Sequence, residues 1–108
     1  MKYTVYGAEV TLEYTEPSTN TDGSALDDLH HTSIFYDIGT GAVNVIDLPA
    51  SLMTGGGVKS YTFTIPVLKG EMKSVSIFAT ASDTSGETSD PSEPIITVID
   101  RRVPSPPF

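Results

Sequence analysis

With 108 residues and no cysteine, the chain has room for one domain and one core, held without disulfides, thiol chemistry or cysteine-based zinc sites. Six lysines and arginines stand against fourteen aspartates and glutamates, a formal net charge of −8, and that field opposes nucleic-acid phosphates and anionic membranes as partners. No apolar run is long enough for a signal h-region or a membrane span, so the sequence predicts synthesis in the cytoplasm without a leader.

Short runs of alternating apolar and polar residues recur along the chain, and no stretch keeps a helical period. Lys2 to Tyr6 predicts a first strand. In residues 8–15, Val10, Leu12 and Tyr14 point to one face and Glu9, Thr11, Glu13 and Thr15 to the other, so one face is core and one is wet. Glu16-Pro17-Ser18-Thr19-Asn20-Thr21-Asp22-Gly23-Ser24 is loop chemistry. Residues 32–36 and 42–46 are shorter β-prone stretches. Residues 48–53 then lead to Gly55-Gly56-Gly57, a flexible loop, with Leu52 and Met53 read as the edge of the core. In residues 60–65, Tyr61, Phe63 and Ile65 alternate with Ser60, Thr62 and Thr64. In residues 74–81, Val75, Ile77, Ala79 and Ala81 oppose Ser74, Ser76, Phe78 and Thr80. Asp83-Thr84-Ser85-Gly86 is a turn, and the β-branched run 95–99 closes the sheet. About seven short antiparallel strands predict an all-β, immunoglobulin-like β-sandwich over residues 1–100. Residues 101–108 contain three prolines, which lack the donor hydrogen, and predict an extended arm.

Three segments resemble the fibronectin type III family. Val10-Thr11-Leu12-Glu13-Tyr14-Thr15-Glu16-Pro17 resembles its second strand. Residues 21–29 followed by Ile34-Phe35-Tyr36 are similar to its B–C loop running into strand C. Ala79-Thr80-Ala81-Ser82-Asp83-Thr84-Ser85-Gly86-Glu87-Thr88-Ser89-Asp90-Pro91-Ser92 is similar to the F strand, the F–G turn and the start of strand G in bacterial and phage-associated members. The family's strand-B tryptophan is Tyr14 here, and its corner tyrosine falls near Val75. Together the segments cover most of residues 8–99, and the resemblance implies a fibronectin type III β-sandwich.

Candidate chemistry is sparse. His30 and His31 are the natural acid–base groups, but adjacent strand residues face opposite sides, so they are expected not to converge on a metal or a substrate proton. Asp83, Glu87, Asp90 and Glu93 lack the alternating order of a compact calcium loop and read as a solvated turn. Gly55-Gly56-Gly57 is not followed by the Lys-Ser/Thr and helix of a phosphate cradle. The expectation is therefore a non-catalytic protein with no cofactor and no metal. Its partners are expected to be proteins of a larger assembly, through which the chain can oligomerise, with neither nucleic acid nor membrane among them. The expected contacts are Tyr3 and Tyr6 near the N-terminus and Arg101, Arg102, Val103, Pro104 and Phe108 on the arm, which offers two cations, a stiff spacer and a terminal aromatic. Fibronectin-like modules recur on phage surfaces, so the resemblance implies a bacteriophage virion accessory or capsid-decoration component. The alternative is an extracellular spacer or weak-binding module of a secreted carbohydrate-active or adhesive protein. A cytosolic adaptor that pairs its edge strands with an extended peptide is a third reading.

Overall fold

A computed structural model describes residues 1–41 and 43–107. Its seven strands are β1 (Lys2–Tyr6), β2 (Glu9–Thr15), β3 (Leu29–Asp37), β4 (Asn44–Pro49), β5 (Val58–Thr64), β6 (Met72–Asp83) and β7 (Ile95–Asp100). All pairings are antiparallel. Three strands form a sheet in the order β1-β2-β5, and four form a second in the order β4-β3-β6-β7. The chain is thus an all-β, immunoglobulin-like sandwich, as the strand count predicts. The expected strand 42–46 begins at Ala42, outside the described residues, and β4 runs on to Pro49.

Alternation decides which side chains enter the core. Val10, Leu12 and Tyr14 of β2 meet Phe63 and Ile65 from β5 and the residue after it, and Ile34, Val75, Ile77 and Ile99 arrive from the opposite sheet. Full burial of one such aliphatic side chain stabilises the fold by about 1.5–3 kcal/mol. Tyr36 of β3 reaches across to Phe63 of β5, with ring centroids 5.4 Å apart and planes tilted by 34°, an aromatic contact between the sheets worth about 0.5–1.5 kcal/mol beyond its area.

Two expectations about loops are corrected. The triple glycine is a tightly docked segment: Glu16 N–H donates to Gly57 O at 2.8 Å, and Gly56 N–H donates to Glu16 O at 3.1 Å. Gly55 has a φ of +67°, and a Cβ there would lie 1.7 Å from Pro17 O, so only glycine permits both the backbone angle and the close approach. Leu48 packs against the core as expected, but Leu52 and Met53 are exposed. The segment 50–56 is held by backbone bonds instead, with Ala50 N–H donating to His30 O and Leu29 N–H to Met53 O.

At the other end of the chain, Pro91 and Pro94 delay β7. Upstream of Ile95, the open edge of β6 is covered by two serines: Ala79 N–H donates to Ser92 Oγ and Ala81 N–H to Ser89 Oγ, both at 2.9 Å. The backbone N–H groups of those serines return to Ala79 O and Ala81 O at 2.8 Å. The two serine hydroxyls take the place of the ladder carbonyls that would accept from the β6 N–H groups.

Candidate interaction surface

The two sheets differ in what they show to solvent. Outward positions of the three-stranded sheet are read from the register Lys2↔Glu13, Thr4↔Thr11, Tyr6↔Glu9 and, with β5, Glu9↔Thr64, Thr11↔Thr62 and Glu13↔Ser60. Apart from Tyr6 and Val58 this face is polar, and Thr11 and Thr62 share a hydroxyl hydrogen bond across it at 2.8 Å. The usual antiparallel alternation is obeyed.

The outward face of the four-stranded sheet breaks that rule. Phe35 pairs with Val45 on one side and Phe78 on the other, Ser76 with Ile96, and Ser74 with Val98. The Phe35 and Phe78 rings stack at 4.9 Å with planes 7° apart. Around them Val45, Ile96 and Val98 are 53%, 70% and 51% exposed. Scattered exposed apolar residues are ordinary, but a row crossing four strands is a patch of the kind that marks an interaction site. Outward positions of this face carry Asp37, Asp47 and Asp100 and no lysine or arginine. Asp47 accepts a 2.6 Å hydrogen bond from Ser33 Oγ.

Of the residues expected to make contacts, Tyr6 is 85% exposed and Tyr3 lies opposite Leu12 at the open edge of β1. Arg101 belongs to the sandwich. Its N–H donates to Glu71 O at 2.8 Å, its carbonyl accepts from Gly70 N–H at 2.7 Å, and its guanidinium Nη1 donates to Val67 O at 3.0 Å. Arg102 grips Asp100 with Nε at 3.1 Å and Nη2 at 3.0 Å. These bonds hold the Asp100 carboxyl below its usual range and raise the Arg102 guanidinium further. Val103 and Pro104 are exposed beyond that point; Phe108 lies outside the described residues. Tyr6 adjoins the β1–β2 turn, where Ile65 N–H donates to Ala8 O. Arg101 is tied to the same β5–β6 connection, so Tyr6 and the arm share one end of the sandwich.

The histidines depart from expectation. The register shifts between Leu29 and His31, which leaves His30 as a bulge in β3. An extra residue turns its side chain toward that of its neighbour, and the two Nδ1 atoms meet at 2.7 Å with the rings edge to face. One Nδ1 carries the hydrogen and the other accepts it. No group of three or more metal-ligating side chains occurs among the described residues. In the acidic turn, Asp83 Oδ1 accepts from the N–H groups of Ser85 and Glu87 at 3.0 and 2.9 Å.

A groove of about 400 Å³ lies beside Tyr14, Thr32, Ala81 and Ser89. Beneath it, the Tyr14 hydroxyl and Thr32 Oγ1 are both shut off from solvent, and neither completes a well-directed hydrogen bond. Burial raises the Tyr14 hydroxyl above its ordinary value. The nearby Thr32 hydroxyl, as a donor toward the Tyr14 oxygen, partly offsets this, and the Glu16 carboxylate adds to the rise.

No protein-family model matches the chain, and comparison with curated proteins and with solved structures returns no match. What defines a candidate surface is therefore this molecule's own geometry: one polar outer face, one apolar outer face ringed by carboxylates, and a proline arm at one end.

Proposed function

We propose that the chain is a non-catalytic interaction module of the fibronectin type III kind that serves as a structural component of a larger particle, a bacteriophage virion accessory or capsid-decoration protein. The observation that carries this reading is the apolar outer face of the four-stranded sheet, which an isolated soluble sandwich has no reason to display. The strand order supports the type of module. The fourth strand pairs with β3 in the sheet of β6 and β7, whereas a constant-type immunoglobulin domain places its fourth strand beside the fifth. The segments that resemble the B–C loop and the F–G turn occupy the β2–β3 and β6–β7 connections.

In this role the rigid sandwich presents a fixed face while an extended segment reaches a neighbour. The test is quantitative mass spectrometry of particles purified from the native source. Recovery of the chain at many copies with shell or tail proteins is expected. Its absence from such particles, or recovery as a free monomer, would overturn the reading.

A further inference from the structure

We infer that the apolar face of β4-β3-β6-β7 is the receptor for the proline arm, residues 103–107, of a second copy of this chain, an inference that rests on the interaction-module reading above. The arm has the chemistry the face lacks. Residues 1–100 hold four lysines against all fourteen aspartates and glutamates, a charge of −10, whereas beyond Arg101, which the sandwich ties down, the arm is led by the exposed Arg102 and holds no aspartate or glutamate. Two acidic faces pressed together would repel, but an apolar segment led by the Arg102 guanidinium is attracted to an acidic, aromatic face.

The arm is also shaped for the task. Pro104, Pro106 and Pro107 fix their own φ, and the residues before them are held extended, so the segment favours a polyproline helix of three residues per turn. Residues three apart then share an edge. Val103 and Pro106 form one apolar edge, Pro104 and Pro107 a second, and Arg102 and Ser105 a third, polar one. Two apolar edges can rest on Phe35, Phe78 and Ile96 while Arg102 exchanges Asp100 for Asp37 or Asp47 of the receiving copy. Stiff polyproline segments docking on aromatic surfaces are a recurrent mode of recognition, because little conformational entropy is lost.

Geometry directs the contact between molecules. The molecule measures 63 × 26 × 19 Å. The twelve residues of β6 account for about 40 Å of the long axis at about 3.3 Å per residue, and the arm for about 16 Å more at about 3.1 Å per residue. The arm therefore continues outward from the end of β7 and leaves its own sheet bare. A donor arm seated on an acceptor face is a heterologous contact, which repeats into rings or filaments. Five residues cover less than a standard interface, so a single contact is weak.

The test uses the full chain, isotope-labelled, in amide NMR and sedimentation velocity from about 20 µM to about 1 mM at low salt, where a small interface associates. Amides of Val45, Phe35, Phe78 and Ile96 and of Val103 and Ser105 are expected to shift together with concentration, and added salt is expected to reverse the shifts. Ile96→Glu, at an exposed position, and the double substitution Pro104→Gly with Pro106→Gly are each expected to weaken association at least about five-fold. A synthetic peptide of residues 101–107 at millimolar concentration should shift the same face amides. A spectrum unchanged up to about 1 mM, with no peptide response, overturns the inference and leaves the particle reading to its own mass-spectrometric test. Shifts on the face without shifts in the arm, or association that survives the glycine substitutions, overturn it as well.

Discussion

Tyr14 is a core side chain with an awkward end. Its ring fills the position between β2 and β3, yet its hydroxyl and Thr32 Oγ1 are buried without well-directed partners. An unsatisfied buried polar group costs about 1–3 kcal/mol. Tyr14→Phe is therefore expected to leave thermal stability unchanged or raise it, and a loss above about 1 kcal/mol would mean that the hydroxyl is satisfied. The pH dependence follows from the raised hydroxyl. Because the folded value lies above the unfolded one, the contribution is fully present below about pH 10 and is lost as pH rises through the folded value. Melting curves at increasing alkalinity should fall more steeply for the wild type than for Tyr14→Phe. Gly55 makes the opposite case, since its alanine variant meets both a positive φ and the Pro17 carbonyl. Gly55→Ala is expected to lose at least about 2 kcal/mol in chemical denaturation, whereas Gly86→Ala, with the same sign of φ but open space around it, should lose less.

Strands were legible wherever one face is wet. In β2 the alternation of Val10, Leu12 and Tyr14 with Glu9, Thr11 and Glu13 reads directly as register, and the pairing with β5 follows it residue for residue. Elsewhere alternation carries less information. In 95–99 every residue but Thr97 is aliphatic, so the run gives no hint that Ile95 and Ile99 turn inward while Ile96 and Val98 remain outside. Phe78 does stand among polar neighbours on the outward side, but its stacking on Phe35 depends on the β3–β6 register, a non-local fact. The bulge at His30 was hidden for the same reason: it is defined by its partner strand. It also yields a prediction. Deleting His30 removes the extra residue and keeps the pairing of Leu29 and of the residues from His31 onward, at the loss of the bond from Ala50 N–H. That variant should fold, losing about 1 kcal/mol or a little more. Deleting Ser33 instead would turn the preceding half of β3 inside out, and circular dichroism should show an unfolded chain. Equal outcomes for the two deletions would contradict the register.

For the whole molecule, composition was informative about partners it disfavours and silent about the face it offers. The net charge of −8 is a sum over residues 1–100 at −10 and two arginines at 101 and 102, of which only Arg102 leads the free segment. Arg101, read in the sequence as arm, is instead a clamp on the β5–β6 connection through Val67, Gly70 and Glu71. The free segment therefore begins after Arg102, whose exposed pairing with Asp100 can exchange at little cost.

The central claim is that the apolar outer face of β4-β3-β6-β7 is what the molecule binds with. It is tested most directly by the copy number of Ile96→Glu on the particle proposed above, measured beside the wild type after both proteins are shown to melt alike. The account predicts wild-type chains at many copies and a variant reduced at least about ten-fold. Equal incorporation of the variant would place the binding surface elsewhere on the sandwich.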